Sequence, residues 1–415
     1  MTNVRDSDRS YPRIRFNGYS DAWQKRKLGD IVTKLKSYSL SRDVESQTVT
    51  GYRYIHYGDI HTGIADIVNG KTNLPNIKPG DYSDLHMGDL VVADASEDYQ
   101  GIAEPSIILE LPSEKLVAGL HTIALQPKLS DGLFLYYLLH TDSFKHFGYK
   151  NGTGLKIFGI SWNSLSNFEV EFPGVLEQKQ ISKLLLRLEQ LITVNQRKVE
   201  KYQALKKALL QRMFVSGDSD IPQIRFNGYS EAWQKRKLGS FTETYSGGTP
   251  SADNSKYYGG DIPFIRSAEI NLDKTKLYLT EAGLNNSSAK LVAVGDILYA
   301  MYGATSGEVG VSRINGAINQ AILAIKPTQN DDPQFIMQWL RNQKEHIVNI
   351  YLQGGQGNLS GTIVKKLEIE TPVENSEELR IGIISQSLDN LITVNQRKVE
   401  TYKELKKALL QQMFV

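Results

Sequence analysis

The 415-residue chain contains no cysteine. This excludes disulfides, thiolate zinc sites and cysteine nucleophiles, and it fits a reducing compartment. No run approaches the ~18 consecutive apolar residues that a membrane-spanning helix needs. The opening MTNVRDSDRSYPRIRF has no apolar core of the kind a secretory leader carries, so the expected location is cytoplasmic. Charge of one sign is also scarce: Lys and Arg number 48 and Asp and Glu 46, a net of +2. No global field marks a nucleic-acid ligand, and any such reading must rest on local patches. Hydrophobic content of 40% and charged content of 23% are those of an ordinary globular protein. The length suffices for two or three domains with their own cores.

The signatures of several enzyme classes are missing too. An amino-methyltransferase needs an Asn- or Asp-Pro-Pro-aromatic loop to hold a flipped base, and here the prolines stand singly. A phosphate-binding loop needs glycines that let backbone N–H groups cradle phosphate. Gly70-Lys71-Thr72 is a near miss, because Ala65 stands at the first glycine position and the segment reads as a hairpin turn. The seven His are dispersed, without the paired spacing of a zinc helix, so no metal site is expected. Glu404-Leu405-Lys406 has nuclease-like composition, but an i, i+2 spacing on a helix points the two charges apart. Its Glu is matched by Ala204 in the other copy of the helix. No catalytic residue is expected.

What the chain does have is repetition. LITVNQRKVEKYQALKKALLQRMFV at Leu191 to Val215 returns at Leu391 to Val415, changed only at positions 201, 203, 204 and 212. RIRFNGYSDAWQKRKL at Arg13 to Leu28 returns at Gln223 to Leu238, changed only at positions 13 and 21. A period near two hundred residues in two copies is a duplicated module, because solenoid repeats run only ~20–50 residues. Between the repeats lie variable stretches, from about Gly29 to Pro173 and from about Gly239 to Pro372. Each shows short β-type runs such as Leu90-Val91 and Ile297-Leu298, then one helical pattern, Phe134 to Phe147 and Gln334 to Tyr351. A Gly-rich loop follows (Asn151 to Gly154; Gly354 to Gly357), and then a last strand.

The repeated helices are predicted from about Leu176 to Phe214 and from about Ser376 to Phe414. At ~1.5 Å per residue each is roughly 58 Å long. A three-four apolar spacing runs along both: Ile181, Leu184, Leu188, Leu191, Asn195, Lys198, Tyr202, Leu205, Leu209, and the same positions from Ile381 onward. That is the spacing of a coiled-coil seam, in which Asn195 and Asn395 would fix register. The expected fold is α+β: two mixed α/β domains joined by two long helices that form an antiparallel coiled-coil pair with pseudo-two-fold symmetry. The expected boundaries are 1–173 for the first domain, 174–216 for the first helix, 217–373 for the second domain and 374–415 for the second helix. Trp23 and Trp233 are expected to anchor the short repeats on the long helix of the other half. Lys25-Arg26-Lys27 and Lys235-Arg236-Lys237 either meet phosphate or are solvated strand entries. The first long helix carries nine basic residues (Lys179, Lys183, Arg187, Arg197, Lys198, Lys201, Lys206, Lys207, Arg212) against three acidic (Glu177, Glu189, Glu200). That excess suits DNA or an acidic partner.

This arrangement resembles the specificity subunits of type I restriction–modification systems, over essentially the whole chain. The local phrases are Ser246-Gly247-Gly248-Thr249-Pro250-Ser251, Tyr257 to Asp261, Ile262-Pro263-Phe264-Ile265, Glu269-Ile270 and Asn319-Gln320-Ala321 in the second half. In the first half they are Gly88 to Tyr99 and Val117-Ala118-Gly119-Leu120-His121-Thr122. The first half lacks the Gly-Gly-Thr-Pro phrase, so the halves are expected to read different sequences. The resemblance implies a non-catalytic subunit whose two target-recognition domains each read one half of an asymmetric, bipartite double-stranded DNA target. The helices would set the gap and dock two methyltransferase subunits. Motor–nuclease subunits would join through the complex. S-adenosylmethionine, ATP and Mg would belong to those partners.

In such a protein Lys and Arg supply affinity through phosphate, and polar side chains read base edges in the major groove. The candidates lie in polar-aromatic loops. In the first half they are Tyr52, Arg53, Tyr54, His56, Tyr57, Ser96, Tyr99, Gln100, Lys150, Asn151, Thr153 and Lys156. In the second they are Ser246, Gly247, Gly248, Thr249, Ser251, Lys256, Tyr257, Tyr258, Arg266, Tyr302, Thr305, Ser306, Gln353, Gln356 and Asn358. Two other readings compete: a duplicated scaffold that dimerises partners without DNA specificity, which the low net charge favours, and a self-contained restriction–methylation enzyme, which the missing methyltransferase loop disfavours.

Overall fold

A computed structural model describes residues 11–98, 101–154, 157–217, 219–352 and 359–415. The candidates Tyr99, Gln100, Lys156, Gln353, Gln356 and Asn358, and the loop at 354–357, lie outside these residues. The chain forms two compact units that exchange helix ends. The first comprises residues up to Asn195 together with Arg397–Val415, and the second is Gln196–Gln396.

The first unit is built on a five-stranded sheet in the order Val32–Lys34, Thr122–Pro127, Leu90–Ala93, Pro105–Ile108, Ile67–Val68. The neighbours are antiparallel except the last pair. The central run LVVA is buried at every position, as a strand covered on both faces requires. A second sheet orders Lys115–Ala118, Tyr52–Ile55, Asn76–Ile77 and Glu45–Ser46, with Val117 opposite Tyr54 in a parallel pair. The second unit repeats the plan. Thr242–Ser246, Ile322–Pro327, Ile297–Ala300 and Val309–Val311 form one antiparallel sheet. Tyr278–Leu279, Tyr258–Ile265, Gly316–Ile318 and Lys290–Val292 form the other, with Phe264 opposite Ala317 in the parallel pair.

The single helical pattern expected after each sheet is two helices. Gly132–Leu138 and Asp142–Asn151 are separated by Leu139, His140 and Thr141, and Thr141 Oγ1 accepts from Phe144 N at 3.4 Å and donates to Leu138 O at 2.7 Å. The extended Thr141 is the N-cap of the second helix, and its hydroxyl also satisfies a carbonyl at the end of the first. In the second unit Pro333–Asn342 and Lys344–Leu352 break at Gln343.

The long helices are Val175–Met213 and Asn375–Gln412. In the first unit Glu189 meets Lys406, while the earlier Ile181 and Leu185 share a core with the later Met413 and Phe414. The two helical segments therefore run antiparallel. The second unit has the same pattern, with Asp389 on Lys206 and Ile381 in a core with Met213 and Phe214. The seam differs from the expected one at alternate positions. Ile181, Leu188 and Asn195 are buried as expected, but two of the alternate positions fall one residue later: Leu185 rather than Leu184, and, beyond Asn195, Lys206 rather than Leu205, which is 43% exposed. The helix ends bury against the sheets' helices as well as each other, and this turns the apolar face. Lys206 can take a seam position because its ammonium is paired.

The short repeats bind these helix ends. Trp23 packs edge-on against Phe134 and Phe414, and Trp233 against Phe335 and Phe214. Phe414 and Phe214 each follow the long helix of the other half, so the expected anchoring is the one found. Arg15 grips Glu177 with two bonds of 2.6 and 2.8 Å, and Arg225 grips Glu377 at 2.7 and 2.8 Å. Bidentate pairs of this kind fix geometry as well as charge. Lys25-Arg26-Lys27 lies on the strand Gln24–Lys27, which pairs with Glu169–Phe172. Lys25 is bound to Glu169 at 2.6 Å.

Candidate nucleic-acid interface

Each unit brings its loops together where the central strands end. In the first unit Leu90–Ala93 runs out at Asp94, whose N–H donates to His121 O at 3.0 Å. In the second unit Ile297–Ala300 runs out at Met301, whose N–H donates to Ala321 O at 2.8 Å. The backbone corner is the same, and the side chains on it are not.

On the first corner stands an aromatic and imidazole cluster. The Tyr57 ring lies 4.5 Å from His56, 5.9 Å from His61 and 5.4 Å from His121, centroid to centroid. His61 donates from Nδ1 to Glu104 at 3.0 Å and from Nε2 to Ala95 O at 2.8 Å. With an acceptor on each nitrogen the ring favours the imidazolium, and the Glu104 bond, before burial opposes it, pushes its pKa up. His121 is half exposed, sits at φ +53°, and places Nδ1 3.2 Å from Asp94 Oδ1. A non-glycine residue in the left-handed region is held there by its surroundings. Ser96 pairs with Phe158, and Thr153 with Gly159, so these two candidates are brought beside the corner.

Most first-half candidates, at the corner or away from it, are committed to the framework. Tyr52 stacks edge-on with Tyr82, and Arg53 is spent on Leu74 O and Glu114, each at 3.0 Å. Tyr54 has no exposed surface. It lies inside the small sheet, its hydroxyl donates to Glu45 at 2.9 Å, and burial pushes its pKa up. His56 is a buried cap whose Nδ1 accepts from Gly58 N–H, and desolvation followed by the nearby Arg42 lowers its pKa. Ser96 is itself buried. Lys150 is exposed on the helix Asp142–Asn151, and the Asn151 amide bonds back to Phe147 O at 2.9 Å.

On the second corner the Gly-Gly-Thr-Pro phrase has a clear mechanical role. Ser246 ends its strand, exposed, opposite Leu323. A Cβ on Gly247 would overlap the Ile318 carbonyl, and one on Gly248 would strike Ser288. Only glycines allow the chain so close to the neighbouring strand. Gly248 N–H donates to Ile318 O at 3.3 Å, and Tyr258 hydroxyl donates to Pro250 O at 2.8 Å. Between these two fixings Thr249 Oγ1 donates to Gln320 Oε1 at 2.6 Å. Ser251 and Lys256 are exposed on the stretch that leaves this turn, with Tyr257 half-buried. Tyr302 is half-buried, and Thr305 and Ser306 turn their hydroxyls inward to Tyr302 O and Met301 O at 3.4 and 3.0 Å. Arg266 is occupied by Glu269 at 2.8 Å. Although burial opposes it, bonding to Arg266 and Thr275 brings the Glu269 pKa down to about 2, so the pair is a structural clip.

Sequence reasoning did not select His61, Asp94, Glu104 or His121 as base-facing candidates in the first unit, nor Gln320 in the second. The turns 120–121 and 320–321 stand at matching places in the two halves, which was the available signal. Among the described residues no cluster of His, Asp or Glu could hold a metal, and no helix is long and apolar enough to cross a membrane.

The model of the type I restriction modification DNA specificity domain matches residues 20–203 and again 230–404. A putative type I restriction enzyme MjaX specificity subunit of Methanocaldococcus jannaschii is 24% identical over 417 residues, covering 95% of this chain and 88% of that protein. The MjaVIII specificity subunit of the same organism is 22% identical, covering 94% and 91%. A crystal structure of the type I restriction-modification S subunit from M. genitalium shares the fold, with a TM-score of 0.67 at 14% identity over 98% of this chain and 99% of that one. With both halves matched, the chain belongs to the type I restriction modification DNA specificity family.

Proposed function

We propose that this chain is the DNA target-recognition subunit of a type I restriction–modification system, located in the cytoplasm and without cofactors of its own. The segments 1–173 and 217–373 act as the two recognition domains, each reading one half of an asymmetric bipartite target in double-stranded DNA. The helical segments 174–216 and 374–415 set the gap and carry two methyltransferase subunits. Motor–nuclease subunits join through the assembled complex, and S-adenosylmethionine, ATP and Mg act on those partners. Members of a specificity family select the target and leave the chemistry to other subunits.

One observation supports this reading most: what is alike and what differs between the units. The helix segments 191–215 and 391–415, the Trp anchors and the Arg–Glu clips are near copies, whereas the loop corners carry unrelated side chains, Tyr57, His121 and Asp94 against Thr249, Gln320 and Tyr302. Identical parts suit two copies of one partner, and divergent corners suit two different base sequences. Of the exposed or half-exposed candidates, Tyr57, Lys150 and Thr153 in the first unit and Ser246, Thr249, Ser251, Lys256, Tyr257 and Tyr302 in the second are the ones we assign to DNA, whereas the half-exposed Tyr52, Arg53, Asn151, Tyr258, Arg266 and Thr305 are engaged within the fold. Tyr54 and Ser306 serve the framework.

The test is modified-base sequencing of DNA from cells with and without this chain, its methyltransferase present in both. One new asymmetric bipartite adenine motif is expected. Absence of any new motif, with the complex assembled, would support the scaffold reading. In the same assay, one heptad added to both long helices lengthens each by about 10.5 Å, near three base pairs. The gap should change while both half-sites stay as they were.

A further inference from the structure

An exposed glutamine usually samples many rotamers, and holding one still costs conformational entropy. Gln320 is exposed and yet held. It lies on the turn between Gly316–Ile318 and Ile322–Pro327, and that turn is fixed by Asn319 Oδ1, which accepts from Ala321 N–H at 3.2 Å, and by the Met301–Ala321 bond. Its side chain is then fixed by Thr249, itself exposed, whose hydroxyl takes one lone pair of Oε1. Two glycines and a buried backbone bond are committed to bringing that hydroxyl into place. Nothing in the core gains from this contact, because both side chains stand in solvent.

The arrangement leaves Gln320 with a defined outward face. A carbonyl oxygen has two lone pairs, and Thr249 uses one. The second, and the Nε2 donors, which no described residue accepts from, point to a ligand with one acceptor and one donor side by side. In the major groove adenine presents that pair, N7 and N6–H, and a glutamine amide reads it in bidentate fashion. Guanine offers two acceptors at the same edge and would meet the Oε1 lone pair with its O6. The first unit has Leu120 at the matching turn and no Gly-Gly-Thr-Pro phrase, so it has no equivalent device.

We infer that Gln320 is a specificity-determining residue that reads an adenine in the half-site of the second recognition domain, and that Thr249 is a positioning residue that presets its amide. This rests on the recognition function proposed above. The full chain is expressed with its methyltransferase, and the methylated motif is read by modified-base sequencing for the wild type, Gln320→Ala, Gln320→Glu, Thr249→Val and Thr249→Ser. With Gln320→Ala one A·T position of one half-site becomes degenerate, discrimination there falls about 10- to 100-fold, and the other half-site and the gap are unchanged. Thr249→Val gives a weaker relaxation at the same position, and Thr249→Ser, which keeps the hydroxyl, restores the wild-type motif. Gln320→Glu, having lost the donors, disfavours that adenine.

An unchanged motif in Gln320→Ala overturns the inference. So does relaxation at a G·C position, or uniform loss of methylation across all sites with the chain still folded by thermal melting. A wild type that yields no motif sinks the recognition function itself, and is told apart from these outcomes by occurring before any substitution.

Discussion

Lys206 Nζ lies 2.7 Å from each carboxylate oxygen of Asp389, at a residue only 9% exposed. Burial lowers the Lys206 pKa before Asp389 raises it, so the ammonium depends on this one carboxylate. Asp389 has other partners: Gln338 Nε2 donates to it at 3.1 Å, and the Arg341 guanidinium lies 3.8 Å away. The two ends are therefore unequal. Asp389→Ala strands a buried charge and should cost about 2–4 kcal/mol, whereas Lys206→Met removes the charge, keeps the volume and should be neutral within about 1 kcal/mol. Hydrogen exchange across the second unit measures both. Equal losses from the two substitutions would contradict the account.

Phe414 and Phe214 are near the chain positions where each repeated helix ends, and each completes a core with a Trp of the short repeat. Phe414→Ala should destabilise by about 3–5 kcal/mol, and exchange protection should fall around Trp23 and Phe134 in the first unit. Phe214→Ala should do the same around Trp233 and Phe335 in the second. Loss of protection in the wrong unit would show that the helix ends are not exchanged in solution.

The exchange itself was only partly legible. The repeats announced a duplicated module and two long helices within a residue or two of their ends, because Leu, Lys, Gln and Ala runs without Pro or Gly leave little choice. The seam differs at alternate positions only, and there Lys206 and Lys406 read as solvent-facing until their carboxylate partners are seen. The break at Thr141 was invisible to periodicity, since both helices bury apolar faces on one core. The corner residues were harder still. Tyr54 and His56 look like a polar loop in sequence, yet strand alternation sends one into the small sheet and capping takes the other. Gln320 appears only as part of a short phrase, and its partner Thr249 lies seventy-one positions earlier.

Glu378 and Gln178 hold matching posts at the starts of the long helices. Gln178 accepts from Asp131 N–H at 2.8 Å and donates to Pro173 O at 2.7 Å, whereas Glu378 accepts from Asp332 N–H at 3.0 Å and has no partner on Oε1 among the described residues. Burial pushes Glu378 up to about 8, Asp331 and Asp332 add to this, and the Asp332 N–H and Arg236 oppose it. The native state thus keeps a proton that the unfolded chain, at its ordinary value of 4.5, releases. Stability of the second unit should be full below that value, fall as pH rises, and level off above about 8. The total loss is on the order of 3–5 kcal/mol. Glu378→Gln should remove this slope and raise stability at alkaline pH. Denaturant unfolding from pH 5 to 9 tests it, and a slope that survives the substitution would assign the effect to other groups.

Leu379, Ile383 and Val394 are about half exposed on the second long helix, in the second unit. At 100° per residue they fall within about 60° of one another, which makes a stripe rather than scattered apolar residues. The first helix carries Lys179, Lys183 and Val194 at the matching positions, all exposed. If the helices carry methyltransferase subunits on their duplicated segments, Val394 belongs to the shared surface, and Leu379 and Ile383 extend it with apolar burial for one of the two subunits only. Ile383→Asp combined with Val394→Asp should lower methyltransferase affinity at least ~10-fold, or ~1.4 kcal/mol, because two carboxylates would have to be desolvated. Both side chains stand in solvent in the free chain, so its melting temperature should hardly move. Co-purification and titration of the partner read the result. Full affinity in the double variant would clear this face of any docking role, while a lowered melting temperature would mean that these side chains support the fold.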